Sequence, residues 1–153
     1  MPKIIDRDKY MEDLAARAAG LFSMHGYAGV GMRAVAEHLG MSKSALYHYF
    51  PTKEALFLAC TKSTMRRMSG TNFDETTSED AQLQMLMSSM RAEFGAEMAL
   101  VFDYLRGKSP AQIASDEAMQ LSLSAYLKTV EGIVGPERAA KTLSDILGRL
   151  LLD

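Results

Sequence analysis

The segment that most restricts the fold is MRAVAEHLGMSKSALYHYF, residues 32–50. It holds two short stretches of helical periodicity joined by only Gly40, Met41, Ser42 and Lys43. Helices that close must share a buried face. Val35, Leu39, Met41, Leu46 and Tyr49 are apolar where the two meet, and Ala36 is small where they cross. Gly40 stands where the turn needs a positive φ, a conformation that is costly for any residue with a Cβ. Ser42 offers a hydroxyl to a free amide in the first turn of the second of these helices. Several independent requirements are met in one place, and together they predict a helix-turn-helix. In that motif the second helix enters the major groove of DNA.

The outer side of that second helix carries Lys43, Ser44, Tyr47 and His48, with Ala45 beside them. Lysine can hydrogen-bond guanine's groove acceptors, serine can pair with either kind of base edge, and alanine can lie against a thymine methyl. Serine and tyrosine hydroxyls and helix N-terminal amides can fix phosphates. Tyr49 divides its role, its ring packing inward and its hydroxyl within reach of a phosphate. Lys53, in the first turn of the next helix, and Arg33, in the first turn of the preceding one, can meet phosphates on either side of the groove. Charge follows the same division. Residues 1–70 hold 10 Lys/Arg against 6 Asp/Glu, and residues 71–153 hold 7 against 13, within a net of −2 for the chain. Such asymmetry suits a basic portion that meets an anion and an acidic portion that does not.

The rest of the 153 residues is helical as well. Met11, Leu14, Ala15, Ala18, Leu21 and Phe22 repeat at three- and four-residue steps and predict a helix over about residues 8–24, ended by His25-Gly26 with the glycine as a left-handed cap. Pro51 breaks the chain, and a helix runs from Thr52-Lys53 to about Met68. Residues 69–78, SGTNFDETTS, form the clearest linker. Thr77 with Asp80 is the expected cap of the following helix. That helix carries a stripe from Leu83 to Leu105 and is expected to bend at Gly95. Ser109-Pro110 starts another; one more runs from Asp116 to Val134, and a last one follows Gly135-Pro136. The expectation is an all-α fold: a three-helix DNA-binding head, residues 1–53, joined by a linking helix to a helical body, residues 54–153.

The stretch MRAVAEHLGMSKSALYHYFPTKEAL resembles the signature of tetracycline-repressor (TetR) family transcriptional regulators, and the preceding LFSMHGYAGV is similar to that family's first helix and loop. The resemblance covers roughly residues 8–60. It implies an all-α homodimer with an N-terminal DNA-binding head and a C-terminal ligand and dimer body. It implies DNA contacts at Tyr47, at His48 and Tyr49, and at Lys53, with Ser42 and Lys43 opening the recognition helix. The pattern departs at Val30 and Gly31, where the family usually has a serine or threonine that caps the second helix. The body is also short for the family.

Within the body, Met87, Met90, Phe94, Met98, Phe102 and Tyr126 are the expected lining of a ligand cavity, because flexible thioethers among aromatic rings adapt to apolar guests. The acidic balance of the body favours a neutral or cationic effector over an anion. Leu143, Ile146, Leu147, Leu150 and Leu151 make the last helix too apolar for a small body alone, which predicts pairing with its twin across a two-fold axis. No cofactor and no metal are expected: Cys60 is the single cysteine, and no histidine partner stands at ligand spacing. No nucleophile–base pair or paired carboxylates suggest an enzyme. The charged N-terminus lacks the apolar centre of a signal peptide, and no apolar run spans a membrane, so the cytoplasm is the expected address. The function expected is that of a DNA-binding regulator, most often a repressor, released from a near-palindromic operator by a small apolar effector. The alternative is a helical protein–protein interaction module that has lost DNA binding.

Overall fold

The computed structural model describes residues 6–69 and 73–152. Those residues form eight helices and no strand: α1 (Arg7–His25), α2 (Met32–Leu39), α3 (Lys43–Tyr49), α4 (Lys53–Ser69), α5 (Glu79–Leu105), α6 (Pro110–Ala114), α7 (Glu117–Val134) and α8 (Pro136–Leu152). The all-α expectation holds.

Local chemistry sets most boundaries. The Asp6 carboxylate accepts from the amides of Asp8 and Lys9 and starts α1. Gly40 ends α2 in the left-handed conformation, φ 68° and ψ 32°, as the turn demanded. Gly26 also takes a positive φ, 75°, but its ψ of 173° is extended, so it ends α1 without a left-handed helical residue. Ser109 and Gln112 bond reciprocally around the start of α6, with Pro110 as its first residue. One expectation is corrected. The cap of α5 is Ser78, whose hydroxyl accepts from Ala81, and not Thr77. Helix α5 is continuous through Gly95. An isolated glycine weakens a helix by about 1 kcal/mol without ending it.

Two apolar clusters divide the molecule. The first gathers Leu14, Ala18 and Phe22 of α1, Val35 and Leu39 of α2, Leu46 of α3, Phe50, and Leu56, Phe57 and Cys60 of α4. Two body residues, Tyr104 and Ala118, belong to it as well. The second joins Leu86 and Met90 of α5, Val130 and Val134 of α7, and Ala139, Leu143, Ile146 and Leu150 of α8. Helix α4 packs on both α1 and α7, so one helix belongs to both parts.

The last helix corrects a sequence expectation. Of the five, Leu143, Ile146 and Leu150 are buried within the chain's own core, Leu147 is half-buried against it, and Leu151 is 66% exposed. A helix of 17 residues shows one stripe to its neighbours, and here α5 and α7 already cover it.

Candidate nucleic-acid interface

Helix α3 is held by its inner face. Leu46 is fully buried and Phe50 nearly so, which fixes the rotation of the helix about its axis. Ser42 caps it, its hydroxyl accepting from the Ala45 amide at 3.1 Å. Tyr49 lies half-buried with its ring edge-on to Tyr10, centroids 5.3 Å apart. Arg7 closes the far end: its guanidinium donates to the His48 carbonyl at 3.3 Å and lies 5.7 Å from the Tyr49 ring centroid. With the inner face so anchored, Ser42, Lys43, Ser44, Tyr47 and His48 are exposed and Ala45 is half-buried. The Lys43 ammonium sits 5.8 Å from the Tyr47 ring centroid, so this pair already shares one surface. That surface is a short convex ridge carrying a cation, hydroxyls and an imidazole, the set that base edges and phosphates can engage.

The flanking cations are less free than the chain order suggests. Arg33 is exposed and paired to Glu37 at 3.2 Å one helical turn on. Such a pair contributes about 0.5 kcal/mol, a small barrier to exchange for a phosphate. Lys53 is half-buried, its ammonium 4.2 Å above the Tyr27 ring. Burial pulls its pKa below the ordinary lysine value, against the opposing pull of Glu54 and Asp103. Gly31 precedes α2 in extended backbone, φ −98° and ψ 156°, and caps it with no side chain.

The residues that hold Lys53 were invisible in the sequence. Tyr27, Phe22, Phe57 and Tyr104 form one aromatic cluster, with Phe57 and Tyr104 stacked at 4.3 Å and Tyr27 edge-on to Tyr104 at 4.9 Å. Tyr104 comes from α5, and its hydroxyl donates to Asp116 at 2.7 Å. Lys108 donates to the same carboxylate at 3.1 Å. The neighbouring Asp103 accepts from the Ala28 amide of the α1–α2 loop. The end of α5 is thereby bound to the floor under Lys53. Nothing in local spacing marks these contacts, which join residues far apart in the chain.

The residues expected to line a ligand cavity range from buried to exposed. Met90 is buried, and Met87, Phe94 and Tyr126 pack against the second cluster. Tyr126 donates to Glu97 at 3.1 Å. Met98 is half-buried, and Phe102 is 68% exposed. Two surface hollows lie elsewhere: one of about 420 Å³ between α1 and α4, and one of about 440 Å³ between α4 and α7.

Residues 11–60 match the family model of bacterial regulatory proteins, tetR family. The chain is 27% identical over 124 residues to the HTH-type transcriptional repressor AcnR of Corynebacterium efficiens, covering 74% of this chain and 63% of that protein. It is 32% identical over 75 residues to AcnR of Corynebacterium glutamicum, covering 49% and 37%. Over 46 residues it is 41% identical to the HTH-type transcriptional regulator RutR of Escherichia coli, covering 30% and 22%. The chain thus spans less than two thirds of the length of these curated relatives. The matched residues include all of α2 and α3, the capped turn between them and the first half of α4. On the combined ground of that match and of the buried turn geometry, residues 11–60 form a domain of the tetR family of bacterial regulatory proteins.

Proposed function

We propose that the chain is a DNA-binding transcriptional regulator, acting as a repressor, whose α3 enters the major groove. The observation that carries this reading is the two-sidedness of α3. Leu46 is wholly buried while Lys43, Ser44, Tyr47 and His48 are exposed. In this reading Lys43, Ser44, Ala45 and Tyr47 meet base edges, and Ser42, His48 and Tyr49 hold the backbone. Arg33 and Lys53 grip phosphates on either flank. The chain binds DNA and carries out no chemistry on it.

The functional unit is a homodimer, with a head of residues 1–53 on a body of residues 54–153. The exposed Leu151, with Leu123 and Leu152 (58% and 88% exposed), supplies the apolar surface for the pairing, and the half-buried Leu147 lies beside them. Two heads then address successive major grooves about 34–36 Å apart, which makes the operator near-palindromic. A small effector acts on the body, and α4 carries its effect to the head. An effector shifts this equilibrium only by its difference in affinity for the two forms. No described helix is long and apolar enough to cross a membrane, and the cytoplasm is the compartment in which such a regulator works.

The test is fluorescence anisotropy of the full chain with a pool of double-stranded oligonucleotides at low ionic strength, followed by selection and sequencing. Enrichment of an inverted repeat is the expected result. Failure to bind any duplex overturns the reading in favour of an interaction module built on the same fold.

A further inference from the structure

The hollow between α4 and α7 has a composition that the overall charge of the body conceals. Its rim carries three cations, Lys62 and Arg66 from α4 and Lys128 from α7, and no Asp or Glu lines it. Its floor is apolar, formed by Met65, Leu121 and Ala125, and Ser124 adds a hydroxyl. Arg66 is ion-paired to Glu12 of α1. No ion pair is found for Lys62 or Lys128 among the described residues, and both are exposed.

Helix electrostatics explains only part of this arrangement. Arg66, in the last turn of α4, suits the negative end of that helix. Lys62 lies further back, and Lys128 stands on a different helix, more than a turn before its end at Val134. Two helices therefore direct like charges onto one apolar-floored recess, within a half of the chain where acids outnumber bases 13 to 7. Like charges repel when brought together, and an anion between them removes that cost. A volume of about 440 Å³ falls within the range of small-molecule sites.

We propose that this recess binds an amphiphilic anion, a compound with one anionic group on an aliphatic tail. The anionic group lies between Lys62, Arg66 and Lys128, with the Ser124 hydroxyl as a further donor, and the tail covers Met65, Leu121 and Ala125. The site differs in place and in charge preference from the methionine-lined interior expected of the sequence. Its occupant bridges α4, which is shared with the head, and α7 of the body. Binding is a property of the chain without DNA, so its failure and the failure of the regulator reading are separable.

The probe is octanoate, titrated by calorimetry into the full chain in the absence of DNA, beside acetate, octanol and octylamine. Saturable binding of octanoate is expected, with acetate, octanol and octylamine each at least about tenfold weaker. Lys62→Gln and Lys128→Gln alter exposed side chains, and their unchanged melting temperatures verify folding. Each is expected to weaken octanoate by about tenfold. Three outcomes overturn the proposal: no octanoate binding, octanoate binding of wild-type strength in both lysine variants, or octanol binding as tightly as octanoate.

Discussion

The Asp103 carboxylate accepts a 2.6 Å hydrogen bond from the Ala28 amide, 75 positions earlier in the chain. One residue at the end of the body's longest helix thus holds the loop that leads into the helix-turn-helix. The fit is close: a Cβ at Gly26 would stand 3.1 Å from the same carboxylate oxygen, and Gly26 already has a φ of 75°. A hydrogen bond to a charged acceptor contributes about 1.5 kcal/mol or more. Asp103→Ala is expected to lower stability by about that amount and to speed hydrogen exchange at the Ala28 amide ahead of the rest of the head. Unchanged exchange at Ala28 would show that the bond does not restrain the loop.

Gly31 starts α2 in the extended conformation that side-chain caps adopt, and a Cβ there meets nothing within 4 Å. Gly31→Ser therefore adds a hydroxyl without strain. The expected gain is a few tenths of a kcal/mol in thermal stability, with tighter binding to a DNA duplex through an added phosphate contact. A lower melting temperature would show that the hydroxyl does not reach the free amides of α2.

Lys53 is shared between the Tyr27 ring and any phosphate it meets. Lys53→Ala is expected to weaken binding to all duplex sequences alike and to flatten the dependence of log affinity on log salt by about 1. An unchanged slope would mean that the ammonium stays over Tyr27 when DNA is bound. Changes at Lys43, Ser44 or Tyr47 are expected instead to alter base preference.

Asp116 caps α7 by accepting from the Met119 amide at 3.1 Å, while also accepting from Tyr104 and Lys108. Burial opposes its charge, but the bonds from Tyr104, Met119 and Lys108 prevail and hold its pKa below the ordinary value of 3.8. A carboxyl held low in the folded state contributes stability above its unfolded pKa and loses it as pH falls through the folded value. The melting temperature of Asp116→Asn is expected to lie below wild type at neutral pH and to converge on it below about pH 4. Parallel curves down to strong acid would remove the ionised carboxylate as the cause.

The two faces of α8 predict two different failures. Leu151 is 66% exposed and Leu143 only 3%. Leu151→Lys is expected to leave the fold intact and shift light scattering from dimer to monomer. Leu143→Lys forces a charge into the core and is expected to cost about 4 kcal/mol or more, read as loss of cooperative melting. A Leu151→Lys protein that stays dimeric would place the pairing surface elsewhere.

The sequence by itself determined the helices and the helix-turn-helix. Helical period, caps such as Ser42 and Ser109, and the positive φ required at Gly40 are local demands, satisfied within a few residues. It also settled which side of α3 is buried, because Leu46 and the neighbouring α2 are close in the chain. Only the tertiary structure decided where the long-range partners lie. The tie from Asp103 to Ala28, the ring of Tyr104 beneath Tyr27, and the recess shared by Lys62 and Lys128 depend on how α4, α5 and α7 cross. The apolar stripe of α8 shows the same division. Period alone marked Leu143, Ile146 and Leu150 as needing cover, but the same stripe would serve a second copy or the chain's own α5 and α7. Apolar burial is non-directional, so the residues that need cover do not specify what provides it.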